Sequence, residues 1–167
     1  MTKTIHKYLT KLIPIVSFFI MTSTSWAATY YVSPAGSDSS GNGSQTSPWQ
    51  TLSNACSKVT TAANTIYINP GNYTDNNRCN LAIGVNIQGA GKDLVKITSA
   101  YAGAMGTGYI YRSTTPQNPI ADGNNEISGF TLDGSAKTLT TGIFIRGTDQ
   151  LKIHDIRFQN IKVSALW

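Results

Sequence analysis

The feature that most constrains this 167-residue chain is an eight-residue block that occurs twice. Ile127-Ser128-Gly129-Phe130-Thr131-Leu132-Asp133-Gly134 and Ile153-His154-Asp155-Ile156-Arg157-Phe158-Gln159-Asn160 carry apolar residues at positions one, four and six, 26 residues apart. The two residues between the first apolar positions read as a corner, after which period-two alternation restarts. A third short strand, GIFIRG (142–147), lies between the copies, and a looser version runs through VNI (85–87), a corner over 88–93, and LVKI (94–97). Three short strands per 20–26 residues, joined by tight corners, predict stacked repeats that share a continuous interior. The expected fold is all-β, a parallel β-helix (a single-stranded solenoid) of about three coils. An antiparallel sandwich also spaces strands regularly, but it leaves the repeated corner unexplained.

Alternation assigns each side chain of the repeat to a face. Ile127, Phe130, Leu132, Ile143, Ile145, Leu151, Ile153, Ile156 and Phe158 are expected inside. Ser128, Thr131, Phe144, Arg146, Lys152, His154, Arg157 and Gln159 are expected to face solvent. Further strands are read at 29–33, 65–69, 85–88, 94–98, 109–112, 127–133, 142–146 and 151–159, each bounded by Gly, Asn, Asp or Ser. One amphipathic helix is predicted over 48–60. There Ser47 and Gln50 suit a capping box, Pro48 suits the first turn, and Trp49, Leu52, Cys56 and Val59 recur at helical spacing.

The ends and the charge belong together. Lys3, His6, Lys7 and Lys11 precede a ten-residue apolar stretch, LIPIVSFFIM (12–21), and Ser25 and Ala27 suit a small-residue cleavage site. This is the pattern of a secretory signal peptide over 1–27, cleaved near Ala27, and its apolar stretch is too short for a membrane span. The expected product is a secreted domain over 28–167, extracellular or periplasmic. Cleavage lowers the formal net charge from +5 to +2, with the remaining Lys and Arg scattered. Nucleic-acid binding wants a concentrated basic patch, so that partner is excluded. Cys56 and Cys79 admit one pairing, and an oxidising compartment favours a structural disulfide. Two free buried thiols are the alternative, whereas a zinc site lacks further ligands.

Several segments together resemble a known family. TYYVSPAGSDSSGNGSQTSPWQTLSNACSKV followed by NTIYINPGNYTD, with ISGFTLDG and LKIHDIRFQN, is similar to secreted right-handed parallel β-helix proteins of the pectate-lyase-like superfamily. The likeness covers residues 29–161. It implies that the solenoid is right-handed, that the 48–60 helix caps its open end and that Pro70-Gly71-Asn72-Tyr73 begins the first coil. It also implies a polysaccharide-binding protein, or part of a lyase-type polysaccharide-degrading enzyme, acting on an acidic polysaccharide, with calcium as the ion such lyases use. Family members usually carry eight or more coils, so this chain, with about three and no polar C-terminal cap, reads as the N-terminal portion of a longer protein, expected to be a monomer. A non-enzymatic cell-surface or adhesion module is the alternative expectation.

The residues themselves give few site signals. The acids Asp38, Asp75, Asp93, Asp122, Glu126, Asp133, Asp149 and Asp155 sit mostly where Asp turns the chain, and no cluster with calcium's six to eight oxygens stands out. No catalytic residue, metal ligand or cofactor motif is identified. Gly89-Ala90-Gly91-Lys92-Asp93 lacks the first glycine and the Ser or Thr of a phosphate loop. The candidate substrate-binding residues are Arg146, Lys152, His154 and Arg157, cations on adjacent coils suited to uronate carboxylates. The corners are expected to put Arg146, His154 and Arg157 on different faces. Tyr30, Tyr31, Tyr67, Tyr73, Tyr101, Tyr109 and Tyr111 suit sugar stacking if a few share a face, strand packing being their ordinary use.

Overall fold

A computed structural model describes residues 26–101, 108–113, 124–135, 141–146, 150–161 and 164–166. The leader up to residue 25, with Asp122 and Asp149, lies outside the described residues. The chain is mostly β, with one short helix. In order, the elements are β1 (Thr29–Val32), α1 (Leu52–Lys58), β2 (Thr65–Ile68), β3 (Gly71–Asp75), β4 (Cys79–Asn80), β5 (Asn86–Gly89), β6 (Val95–Ser99), β7 (Ile110–Ser113), β8 (Asn125–Asp133), β9 (Thr141–Arg146), β10 (Leu151–Gln159) and β11 (Ser164–Leu166).

Every strand pairing is parallel. One sheet joins β1, β2, β5, β8, β6 and β3, with β10 also paired to β8, and the second joins β4, β7, β9 and β11. The long β8 bridges two shorter strands, since Ile127 pairs with Ile87 of β5 while Leu132 pairs with Ile97 of β6. The 26-residue repeat is the register of β10 on β8: Ile153 opposes Ile127, Ile156 opposes Phe130 and Phe158 opposes Leu132. Between these pairs the predicted corner is a left-handed residue in each copy, Gly129 at φ 80° and Asp155 at φ 52°.

Equivalent positions stack into apolar rows that meet in one cluster. Tyr30, Ile66, Ile87, Ile127 and Ile153 form one row. Tyr73, Ile97, Leu132 and Phe158 form a second, and Cys79, Ile110 and Ile143 a third. Most of these side chains are fully buried, and each such isoleucine or leucine contributes roughly 1.5–3 kcal/mol through the area it removes from water. The expected interior residues agree: Ile127, Phe130, Leu132 and Ile143 are buried, and Ile145, Leu151, Ile153, Ile156 and Phe158 pack half-buried against them.

Three expectations need correction. Ser128 and Thr131 do not face open solvent, being only 5% and 2% exposed. β8 is flanked on both sides, so taller neighbours on β5, β6 and β10 shade its short polar side chains, and the Thr131 hydroxyl donates to the Lys92 carbonyl (2.6 Å). The helix is also shorter than predicted. Thr51, not Ser47, is its N-cap, accepting from the Asn54 amide (3.2 Å), and Asp38 accepts from the Gln50 and Thr51 amides at 2.8 and 3.0 Å. Trp49 instead bridges to Val32 and stacks on Tyr30, 5.7 Å between ring centres. Finally, residues 71–75, where the sequence predicts no strand, form β3, whose buried polar residue is Asp75.

Cys56 of α1 is bonded to Cys79 of β4, with Cα atoms 5.3 Å apart. A buried polar knot reinforces that junction. Asp75 accepts from the Ser53 amide (2.8 Å) and hydroxyl (2.7 Å), the Asn77 amide (3.1 Å) and the Tyr109 hydroxyl (2.7 Å). Burial, together with the Asp75 charge and hydrogen bond, drives the Tyr109 phenol well above its ordinary value. The helix is thus tied to the strands by one covalent bond and one satisfied carboxylate.

Candidate functional site

Because side chains alternate across a strand, the apolar rows that point inward leave a matching set pointing outward. On the larger sheet, register aligns Tyr31, Tyr67, Gln88, Ser128 and His154 in one outward row. A second row beside it runs Thr29, Thr65, Asn86, Glu126 and Lys152, with Glu126 tied to Asn86 by a backbone donation of 2.8 Å. Four steps between strands, at about 4.8 Å each, make the face roughly 19 Å long. At one end the Tyr31 and Tyr67 rings meet edge to face, 5.9 Å apart. The middle carries short uncharged polar groups.

Grooves lie along this face from Thr65 and Gln88 to His154 and Lys152. One of about 440 Å³ is lined by Gln88, the Gly91–Leu94 loop, Ser128, His154 and Asp155. A small one of about 140 Å³ over Thr65, Asn86 and Gln88 joins it, sharing Gln88. A third of about 460 Å³, over Asn124, Glu126, Gln150 and Lys152, shares Asn86 and Glu126 with the small one. Ser128 lines the first groove, its short side chain lying in register between the exposed Gln88 and His154. The glycines beneath allow the close approach of backbones: a Cβ on Gly129 would lie 2.2 Å from the Gly89 carbonyl oxygen.

The far end of the face is ionic. His154 places Nδ1 2.9 Å from Asp155 Oδ2 and Nε2 3.0 Å from Glu126 Oε1, an arrangement only the doubly protonated ring satisfies from both sides. Hydrogen bonding to Asp155 first, and to Glu126 next, raises the His154 pKa above its ordinary 6.5. The Asp155 carboxyl is correspondingly lowered, by His154 and then by Lys92, whose ammonium is 3.8 Å away. Arg157 pairs with Asp93 at 2.7 Å.

Of the four candidate cations, Lys152, His154 and Arg157 lie along β10, and Lys152 and His154 line neighbouring grooves. His154 and Arg157 flank the Asp155 corner, both in contact with or beside the loop that bears Lys92 and Asp93. Arg146 stands apart, exposed on β9 of the second sheet. Among the described residues no group of three or more His, Cys, Asp or Glu is placed to hold a metal ion, and no helix is long and apolar enough to cross a membrane.

The tyrosines divide. Tyr73 and Tyr109 are buried, and Tyr73 donates to the Asn69 carbonyl at 2.6 Å. Tyr111 is stacked on Phe144 (5.4 Å, 11° between planes) and contacted by the Arg78 guanidinium (4.1 Å). Among the described tyrosines, Tyr31 and Tyr67 belong to the outward row. Sequence reasoning did not single out their row, although the aligned TIYI, NIQG and EISG segments carry the signal: an inward isoleucine followed by the outward residue of each row. No family model, curated protein or solved structure matches the chain significantly.

Proposed function

We propose that the two sheets are flanks of a right-handed parallel β-helix, capped at one end by α1, and that the chain is a secreted polysaccharide-binding protein. Uniformly parallel pairing, a left-handed corner recurring 26 residues apart, and three inward apolar rows meeting in one cluster support the architecture. Parallel strands need right-handed crossovers in nearly all known cases, which sets the hand. The apolar leader segment and the Cys56–Cys79 bond support export.

One observation carries the function: the outward row Tyr31–Tyr67–Gln88–Ser128–His154, with grooves along its Gln88–Ser128–His154 part. A sugar presents both an apolar C–H face and a belt of hydroxyls. Aromatic rings followed by Gln, Ser, Asn and Thr match that pairing of surfaces. The row's length suits several sugars of a linear chain lying across the strands. Retardation of the purified protein in gels cast with individual polysaccharides tests this. The reading requires at least one polysaccharide to slow it, with Tyr67→Ala restoring free mobility while its circular dichroism is unchanged. Free mobility in every gel, or retardation indifferent to Tyr67, contradicts it.

A further inference from the structure

We infer that the polymer taken by this face is a neutral glycan and not a polyuronate, an inference that rests on the polysaccharide-binding reading above. A polyuronate carries a carboxylate on every sugar, so it needs cations spaced along its whole length. From Tyr31 to Ser128 the outward row contains no charged side chain. Carboxylates laid over Tyr67 and Gln88 would lose water and gain no countercharge, and burying an unpaired charge is strongly unfavourable. At the other end, three of the cations face carboxylates: Lys92 faces Asp155, Arg157 faces Asp93, and His154 faces both Glu126 and Asp155, while Lys152 in the neighbouring groove is a single cation without an ion pair among the described residues. To bind an anionic sugar at the paired cations an existing ion pair must open, and Lys152 alone supplies one countercharge where a polyuronate needs one per sugar. Hydroxyls need no such exchange, because paired carboxylates keep free lone pairs that accept from them.

The ionic cluster then has a different role. It fastens the loop that bears Lys92 and Asp93 against β10 and so forms a wall of the groove, leaving recognition to Tyr67, Gln88 and Ser128.

Calorimetric titration with neutral hexasaccharides derived from glucan, mannan, xylan and galactan, and with hexagalacturonate, at low and high salt, decides the matter. At least one neutral sugar binds with little salt dependence, and hexagalacturonate binds about tenfold more weakly or worse. The Asp93→Asn, Glu126→Gln double variant, which frees Arg157 and removes one of the two carboxylates facing His154, gains hexagalacturonate affinity that salt removes. Equal or tighter hexagalacturonate binding by the natural protein, falling with salt, overturns the inference and leaves polysaccharide binding standing. Failure of every sugar to bind overturns both. Absence of any gain in the double variant overturns the charge-pairing argument on which the inference stands.

Discussion

Three residues show how polar groups are used inside and beside an apolar stack. Asp75 is a buried carboxylate whose oxygens are spent on Ser53, Asn77 and Tyr109, so it joins helix to strand without an orphaned charge. His154, by contrast, is exposed and sits between two carboxylates. Asp133 lies between these extremes. Burial alone would raise its carboxyl, but hydrogen bonds from Asn160, Lys96 and Ser135 outweigh that and hold it well below the usual carboxylate range. A carboxylate depressed in the folded state adds stability above its unfolded pKa of about 4, and that stability is lost as pH falls towards the folded value. Asp133→Asn is therefore expected to cost roughly 2 kcal/mol at neutral pH, the size of a hydrogen bond to a charged group. The deficit relative to the natural protein should shrink steadily below pH 4. Urea unfolding at several pH values measures it, and a deficit independent of pH would refute the role given to Asp133.

At the scale of elements, corners and ties decide which strands can stack. Gly129 adopts φ 80° where its backbone touches Gly89 of the preceding row. Gly129→Ala must strain the left-handed backbone and push two strands apart. A loss of about 3 kcal/mol is expected, from the cost of strained backbone together with the forced separation. Thermal unfolding followed by circular dichroism reads it. The Asp155 corner is more permissive, because it already holds a side chain at φ 52° on the outermost described row of that sheet. For the tie between α1 and β4, replacing Cys56 and Cys79 together by Ala should lower stability by about 3 kcal/mol, through the greater freedom of the unfolded chain. Denaturant midpoints of oxidised, reduced and doubly substituted protein compare directly, with the last two expected to coincide.

These elements also explain what was legible in the sequence. The register of β10 on β8 could be read because both strands are long, uninterrupted and patterned alike. β3 could not, because Gly71, Asn72 and Asp75 have the composition of a turn, and its core contributions are an aromatic and a carboxylate satisfied by residues distant in sequence. The helix start was misplaced because Ser47-Pro48-Trp49-Gln50 satisfies local capping rules, whereas the Asp38 carboxylate and the packing of Trp49 on Tyr30 govern the actual entry. The cations Lys152, His154 and Arg157 were visible as outward residues of one strand. Their carboxylate partners were not, since Asp93 and Glu126 come from other rows whose loops differ in length.

For the whole molecule, one arrangement links stability to recognition. The parallel register that stacks Ile66, Ile87, Ile127 and Ile153 inward also stacks Tyr67, Gln88, Ser128 and His154 outward. A one-residue slip would exchange the two faces, so core packing fixes the outward face, where binding is proposed, as firmly as it fixes the fold. Rigid strands hold such a row in place without the ordering cost that a loop-borne site would incur on binding. Among the described residues the second sheet shows a different arrangement, with the rings of Tyr111 and Phe144 stacked on each other and Arg78 over Tyr111.

The most direct test is to map sugar-induced chemical-shift changes on the amides of isotopically labelled protein, using whichever neutral hexasaccharide binds. The account predicts changes concentrated at Tyr31, Tyr67, Gln88, Ser128 and His154, running across the strands, with Tyr111 and Phe144 unmoved. Changes centred on the second sheet, or confined to loops away from that row, would contradict it.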